Sequence, residues 1–419
     1  MSSLRSLVAM FNTVTLLAFV IVHPSAVSAF GHDLLPQWAF RTGYTELNHG
    51  SYGSTPRIVT DSFSNWTNAM EACPNDWFRF TMWDSINPIR AQMAAYIGSN
   101  ANDTVFVENA SSGVNAVIKS LSRIAPLGKK FLFLNTAYFM VKQVFAYVEP
   151  NNRLQVNITQ PLTNASVIAN VKAALEANKG NVFAASFSHI VSVPGVMLPV
   201  KDLIDLCHQY GVLVLIDGAH ALGHIPVNVT ELNADFWIGN GHKWLYSPKG
   251  SALLWVRADH QAYIEPNVIS WEGVGVTHFQ MAFSYVGTTT NSQYLAMATA
   301  LDFRESIGGD RAIMNYIHTL AVSGGKLLAE AWKTEVLFDE TMVAAMVDVR
   351  VPTQNATLAL SIGRTLIDNY NTFVPIYDIG SVGGVAGVFY ARVSAQVYNE
   401  LSDFEYLAKS ILEIITTQS

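Results

Sequence analysis

The stretch GVLVLIDGAHALG, residues 211–223, carries five consecutive aliphatic residues into Asp217 and then opens into a glycine-punctuated turn. A short apolar run of this kind reads as a strand buried on both faces. A carboxylate at its end is costly unless it meets a partner. Further on, DFWIGNGHKW (235–244) repeats the form: an apolar run, a glycine turn, then Lys243. Working outward, FLFLN (131–135), VFAASFS (182–188) and SALLWV (251–256) are further runs of strand length. Between them lie helical patterns at 112–124, 164–178 and 200–210. This alternation predicts an α/β domain over 101–300 with a mainly parallel sheet, whose ligands gather at the carboxyl ends of strands. From 301 to 419 helices precede two strand-like runs, AAMVDVRVP and GVFYARVS, which predicts a smaller α+β domain; segment 30–100 is expected to pack beside it.

Composition narrows the function. The 419 residues are 50% hydrophobic and 14% charged, with a net charge of −7. The acidic balance and the lack of any lysine/arginine block argue against nucleic acid. No internal run reaches the ~18 apolar residues of a membrane span. Residues 1–29 begin with Arg5, continue through an apolar run and end in HPSAVSA, the pattern of a secretory signal peptide cut after Ala29. Sequons start at Asn65, Asn102, Asn109, Asn157, Asn164, Asn228 and Asn355, which fits a glycosylated surface. The two cysteines, Cys73 and Cys207, make no disulfide framework, and Cys207 reads as a core thiol.

Several residues at the strand ends carry chemistry. A partly desolvated Lys243 suits an imine-forming, proton-moving amine; the alternative is a solvated surface lysine. Asp217 suits a protonated pyridine nitrogen, or else caps the turn that follows. His220 and His224 have the i,i+4 spacing of two metal ligands, but no acidic or histidine cluster accompanies them, and His220 fits better as a partner to a ring hydroxyl. In ENASSGVNAVIKSL (108–121), Ser111, Ser112 and Gly113 stand where a helix begins, a place that favours an anion; an ordinary serine N-cap is the alternative. Tyr138, after the 131–135 run, is either a core tyrosine or an aromatic face for a ring. His189, in SFSHIVSVPG, is either a satisfied core histidine or a cofactor contact. His242 is placed to reach a phosphate. Together these residues describe a pyridoxal phosphate site.

The same pieces resemble the class V aminotransferase family of fold-type I pyridoxal phosphate enzymes, with the isopenicillin N epimerase-like proteins as the nearest branch. LNHGSYGSTP (47–56), DGAHALG (217–223), GNGHKW (239–244) with PKG (248–250), FSYVGT (283–288) and ARVSAQVYNELSD (391–403) carry the likeness, which runs from about residue 47 to the C-terminus. The resemblance implies a Lys243 Schiff base and an Asp217–pyridine pair. It also implies His220 at the ring hydroxyl, Tyr138 stacked on the ring, and Ser111, Ser112, Asn240 and His242 around the phosphate. It further implies a homodimer in which Thr288 reaches the partner's phosphate. Arg392 would clamp a substrate carboxylate, and Asn48 would line the substrate mouth. Thr290, where relatives often carry aspartate, and Phe139, where many carry glycine, depart from the pattern and touch the pocket rim. The implied activity is aminotransferase, C–S lyase or epimerase chemistry on an amino acid or its derivative. The competing reading is a catalytically inactive secreted module with this fold. A persulfide-forming desulfurase fits poorly, because no cysteine follows Cys207.

Overall fold

The computed structural model describes residues 30–270 and 277–418. The apolar segment ending at Ala29 lies outside them. The strand-like runs form a seven-stranded sheet. Its strands in chain order are β1 (Thr104–Val107), β2 (Lys130–Leu134), β3 (Arg153–Val156), β4 (Val182–Ser188), β5 (Leu213–Asp217), β6 (Phe236–Asn240) and β7 (Ala252–Val256). In space they run β1-β7-β6-β5-β4-β2-β3. The pairings β6–β5, β5–β4, β4–β2 and β2–β3 are parallel, while β7 is antiparallel to both neighbours. The sheet is therefore mainly parallel, as the alternation predicts. β1 and β3 were not among the predicted strands: TVFV is very short, and RLQV carries arginine and glutamine at an edge.

Both faces of the sheet are covered, which is why the strands read as unbroken apolar runs. Successive residues divide between two cores. Phe131, Phe133 and Leu215 join one cluster with Val114 and Val117 of the helix Ala110–Ile124. Leu132, Leu134, Val214 and Ile216 join the other, with Val171, Leu203 and Ile204 from the helices Asn164–Ala177 and Val200–Gln209. Cys207 is buried in that second core, as its apolar setting predicts.

The second core is continuous with a three-stranded antiparallel sheet of β8 (Met346–Arg350), β9 (Ile376–Asp378) and β10 (Phe389–Ser394), through Val347, Val349 and Val393. The N-terminal segment is laced to this region. Thr45–Glu46 pairs in parallel with Thr372–Phe373, Gly31 N donates to Val397 O at 2.7 Å, and Trp38 packs edge-on against Tyr398. No helix of the described residues is long and apolar enough to cross a membrane.

One close approach joins the N-terminal segment to the turn after β6. Gly53 has φ +68°, and a Cβ there would sit 1.9 Å from His242 O and 2.8 Å from Lys243 Cα. Only glycine tolerates both the backbone conformation and the contact. Replacing Gly53 with alanine is expected to lower stability by about 1–3 kcal/mol. Thermal unfolding would show this as a reduced Tm, and an unchanged Tm would refute the contact.

Candidate active site

Three strand ends converge. Ser188, Asp217 and Ile238 stand in register across β4, β5 and β6. His189 follows β4, Asp217 ends β5, and Lys243 lies three residues past the end of β6. Gly218 lets the turns approach: its N–H donates to Ile238 O at 2.7 Å, and a Cβ would strike the Trp237 ring.

Lys243 Nζ lies 3.0 Å from His220 Nε2. Burial and the nearby Arg392 guanidinium lower its pKa to about 7, against a smaller opposing effect of Asp217. Lys243 is half-buried and its amine is bonded to His220, so it is not a freely solvated surface lysine. Asp217 is buried, and burial raises its pKa. One of its oxygens accepts from Ala219 N at 3.1 Å, so the turn-capping role is real, but a single backbone donor is thin compensation for a buried carboxylate.

The neighbouring histidines are neutral for stated reasons. His49 donates from Nε2 to Lys243 O at 2.8 Å and accepts at Nδ1 from Tyr398 O–H at 2.9 Å. His224 donates from Nδ1 to His220 O at 2.9 Å and accepts at Nε2 from Ala345 N at 2.8 Å. Burial drives both to about pKa 3. With both nitrogens engaged, His224 has no lone pair left for a metal. No group of three or more potential ligands occurs among the described residues. His189 is buried with Nδ1 unpartnered, and burial lowers its pKa to about 4. It is not the satisfied core histidine of the alternative reading. His242, beside Lys243, is also lowered to about 4, by burial first and then by Lys243.

The helix Ala110–Ile124 starts two residues before the predicted 112. Its N-cap is Asn109, whose side chain accepts from Ser112 N at 3.0 Å, so neither Ser111 nor Ser112 is the cap. Both serines instead sit half-buried in the first turn. Asn240 Oδ1 accepts from Ala110 N at 2.8 Å and ties this turn to the end of β6. Tyr138 is 52% exposed at the start of the helix Phe139–Val148, so it is not a core tyrosine. Thr288 is exposed and bonds Tyr285 O–H at 2.8 Å. With Ser112 it lines a cavity of about 570 Å3, whose walls include neither Lys243 nor Asp217.

Arg392 and Asn48 do meet. The buried guanidinium donates to Ser192 O (2.6 Å), Ser192 Oγ (3.2 Å), Asn48 Oδ1 (2.9 Å) and Ser51 Oγ (2.6 Å), all uncharged oxygens. Its Nε has no partner. Asp348 faces it across β8 and β10, but its oxygens are taken by Gly195 N at 2.7 Å and Tyr377 O–H at 2.8 Å. Burial raises Asp348 to about pKa 6.

Sequence reasoning missed the residues that brace this site. Arg304 is fully buried and donates to Trp244 O (2.8 Å), Gly223 O (2.9 Å) and Asp310 Oδ1 (2.6 Å), clamping the turns after β5 and β6 together. In sequence it reads as one charge in a helix, and nothing local marks it. Tyr246 adopts a left-handed φ of +71°, beneath the Arg304 guanidinium.

A buried carboxylate at a strand end, an amine with a depressed pKa, a buried histidine with an orphan nitrogen and a helix first turn suit a cationic pyridine, an aldehyde and a phosphate. The chain's likeness to known proteins agrees. The family model for aminotransferase class V matches residues 59–361. The hercynylcysteine sulfoxide lyase of Schizosaccharomyces pombe is 28% identical over 92% of this chain and 97% of its own. The isopenicillin N epimerase of Amycolatopsis lactamdurans is 27% identical over 88% and 95%. A solved complex of the cystine C–S lyase C-DES with its reaction product cysteine persulfide shares the fold, with TM-score 0.76 and 17% identity over 88% and 97% of the two chains. The chain belongs to the aminotransferase class V family. It is a pyridoxal phosphate enzyme acting on an amino acid or amino-acid derivative.

The depressed Lys243 has a direct consequence. In cofactor-free protein its amine is neutral above about pH 7. Amine-selective labelling mapped to Lys243 is expected to reach half its maximum near pH 7. A midpoint near the ~10.4 of an ordinary lysine would contradict the burial.

Proposed function

We propose that this chain is a carbon–sulfur lyase that cleaves L-cysteine or a cysteine thioether by α,β-elimination. The observation that carries it is the buried Arg392, which has only neutral partners and an unpartnered Nε, next to an amine that is neutral near pH 7. The free Nε–H of Arg392, together with one N–H released from a neutral oxygen, would donate to an α-carboxylate in a two-point contact. The thioether assignment is supported by the sulfoxide lyase relative. It is also supported by the lack of any cysteine after Cys207 to carry sulfur.

Arg392, with Asn48 and Ser51 aligning it, binds the carboxylate and so fixes Cα near Lys243. Ser111, Ser112 and the first helical turn would hold the phosphate, with Asn240 fixing that turn and His242 beside it. Tyr138, His189 and His220 would hold the ring, and Asp217 would keep a proton on its nitrogen. When bound, pyridoxal phosphate supplies an electron sink conjugated to Cα. The neutral Lys243 amine takes the Cα proton. The Cβ–S bond then breaks with its electron pair leaving on sulfur, and the Lys243 ammonium returns the proton to that sulfur. Overall, a cysteine thioether and water give a thiol, pyruvate and ammonium.

Thr288 completes the phosphate site of a second copy in a homodimer; its exposure on the surface supports this. The N-terminal signal sequence directs the chain into the secretory pathway, where it is glycosylated. Asn65, Asn157, Asn164 and Asn355 are exposed and suit glycans, whereas Asn109 is half-buried and sits at the phosphate turn.

Three measurements test these assignments. Holoenzyme given cysteine and cysteine S-conjugates is expected to release pyruvate and thiol in equal amounts; D-isomer or keto acid without thiol release would overturn the lyase assignment. Arg392→Ala is expected to lower kcat/KM by about a hundredfold, roughly 3 kcal/mol; an unchanged value would remove the carboxylate clamp. Glycopeptide mapping of secreted protein is expected to find Asn109 bare; a glycan there in active enzyme would displace the phosphate site.

A further inference from the structure

Trp244 follows Lys243 directly, and its indole is buried. Its ring stacks on His224, with centroids 3.7 Å apart and planes 14° from parallel. Its carbonyl accepts from Arg304. Its Nε1–H donates to His220 Nδ1 at 3.3 Å. An indole nitrogen can only donate. Nδ1 of His220 must therefore present a lone pair, and the ring proton of the neutral imidazole sits on Nε2. That nitrogen faces Lys243 Nζ at 3.0 Å. A donor on Nε2 needs a lone pair opposite it, which only the neutral amine has. If the amine were protonated, Nε2 and Nδ1 would both have to accept, and a neutral imidazole cannot do that.

We propose that Trp244 is a positioning residue that fixes His220 in its Nε2–H tautomer, so that His220 holds Lys243 as a neutral amine when the lysine is free and presents a donor to the ring hydroxyl of the bound cofactor. The inference rests on Lys243 being the reactive amine. The chain of contacts is closed at both ends. His224, which stacks on Trp244, is locked by His220 O and Ala345 N, and the Trp244 backbone is locked by Arg304. The indole N–H thus has a fixed direction, and the ring it faces cannot rotate its proton onto Nδ1 without opposing donor to donor.

The test uses the full chain, with and without cofactor, labelled with 15N-histidine and assigned by comparison with His220→Gln. The expected result for the unsubstituted protein is a pyridine-type Nδ1 and a pyrrole-type Nε2 at His220. Trp244→Phe removes the donor. Placing 3-benzothienylalanine at 244 removes the donor while keeping the bicyclic shape that stacks on His224, which guards against a phenylalanine variant that misfolds. In the benzothienyl protein the Nδ1–H form is expected to appear at His220. The labelling midpoint of Lys243 is expected to move upward, and kcat to fall about tenfold with KM changed less than twofold. Two results would overturn the proposal: an Nδ1–H tautomer in the unsubstituted protein, or a pure Nε2–H tautomer retained in the benzothienyl protein. The histidine readout does not depend on which reaction is catalysed, so failure of the lyase assignment and failure of the tautomer assignment are told apart.

Discussion

A primary amine enclosed beside a guanidinium releases its proton far more readily than one in water, and that constraint organises this molecule. Lys243 shares its surroundings with the buried Arg392, and burial and that charge together bring it to about pKa 7. Arg392 hydrogen-bonds only to uncharged oxygens, and the Asp348 carboxylate facing it, held by Gly195 N and Tyr377 O–H, acts on it only across space. Under the proposed reaction, Arg392 would bind an amino-acid carboxylate and so bring Cα to the Lys243 amine. Substrate binding and the low Lys243 pKa would then depend on the same buried guanidinium.

Holding two such cationic groups together needs a stiff frame. The lysine backbone is gripped on several sides. His49 holds its carbonyl, Gly53 lets the N-terminal segment lie against its Cα, and Arg304 ties the following carbonyl to the turn after β5. The contacts come from the N-terminal segment, the helix Ser292–Ser306 and the turns after β5 and β6. These regions are far apart in sequence, so the site forms only when the whole chain has folded. The positive φ of Tyr246 is a further sign that this turn is held by its surroundings rather than by its own preference.

The sheet was legible because strands buried on both faces leave an unmistakable apolar run: β4 is found where VFAASFS predicts it, and β5 and β6 within two residues. β1 and β3 were not, because a short or edge strand need not be apolar on both sides. Lys243, Asp217, Arg392 and Asn48 stood out as candidates because a charged or polar residue beside a strand-like run or within a family motif is conspicuous. The bracing residues were silent. Arg304 looks like any helical arginine, and Trp244 like any core aromatic; their meaning lies in long-range hydrogen bonds that no local spacing records. The serine turn was half-read: the helix start was visible, but the cap proved to be Asn109, because an asparagine and a serine at a helix start compete for the same N–H groups.

The central claim is that one lysine, Lys243, carries the cofactor. Borohydride reduction of the holoenzyme, followed by peptide mass spectrometry, tests this most directly. The account predicts a pyridoxyl label on the peptide containing Lys243 and on no other. A label on another lysine, with Lys243 unmodified, would contradict it.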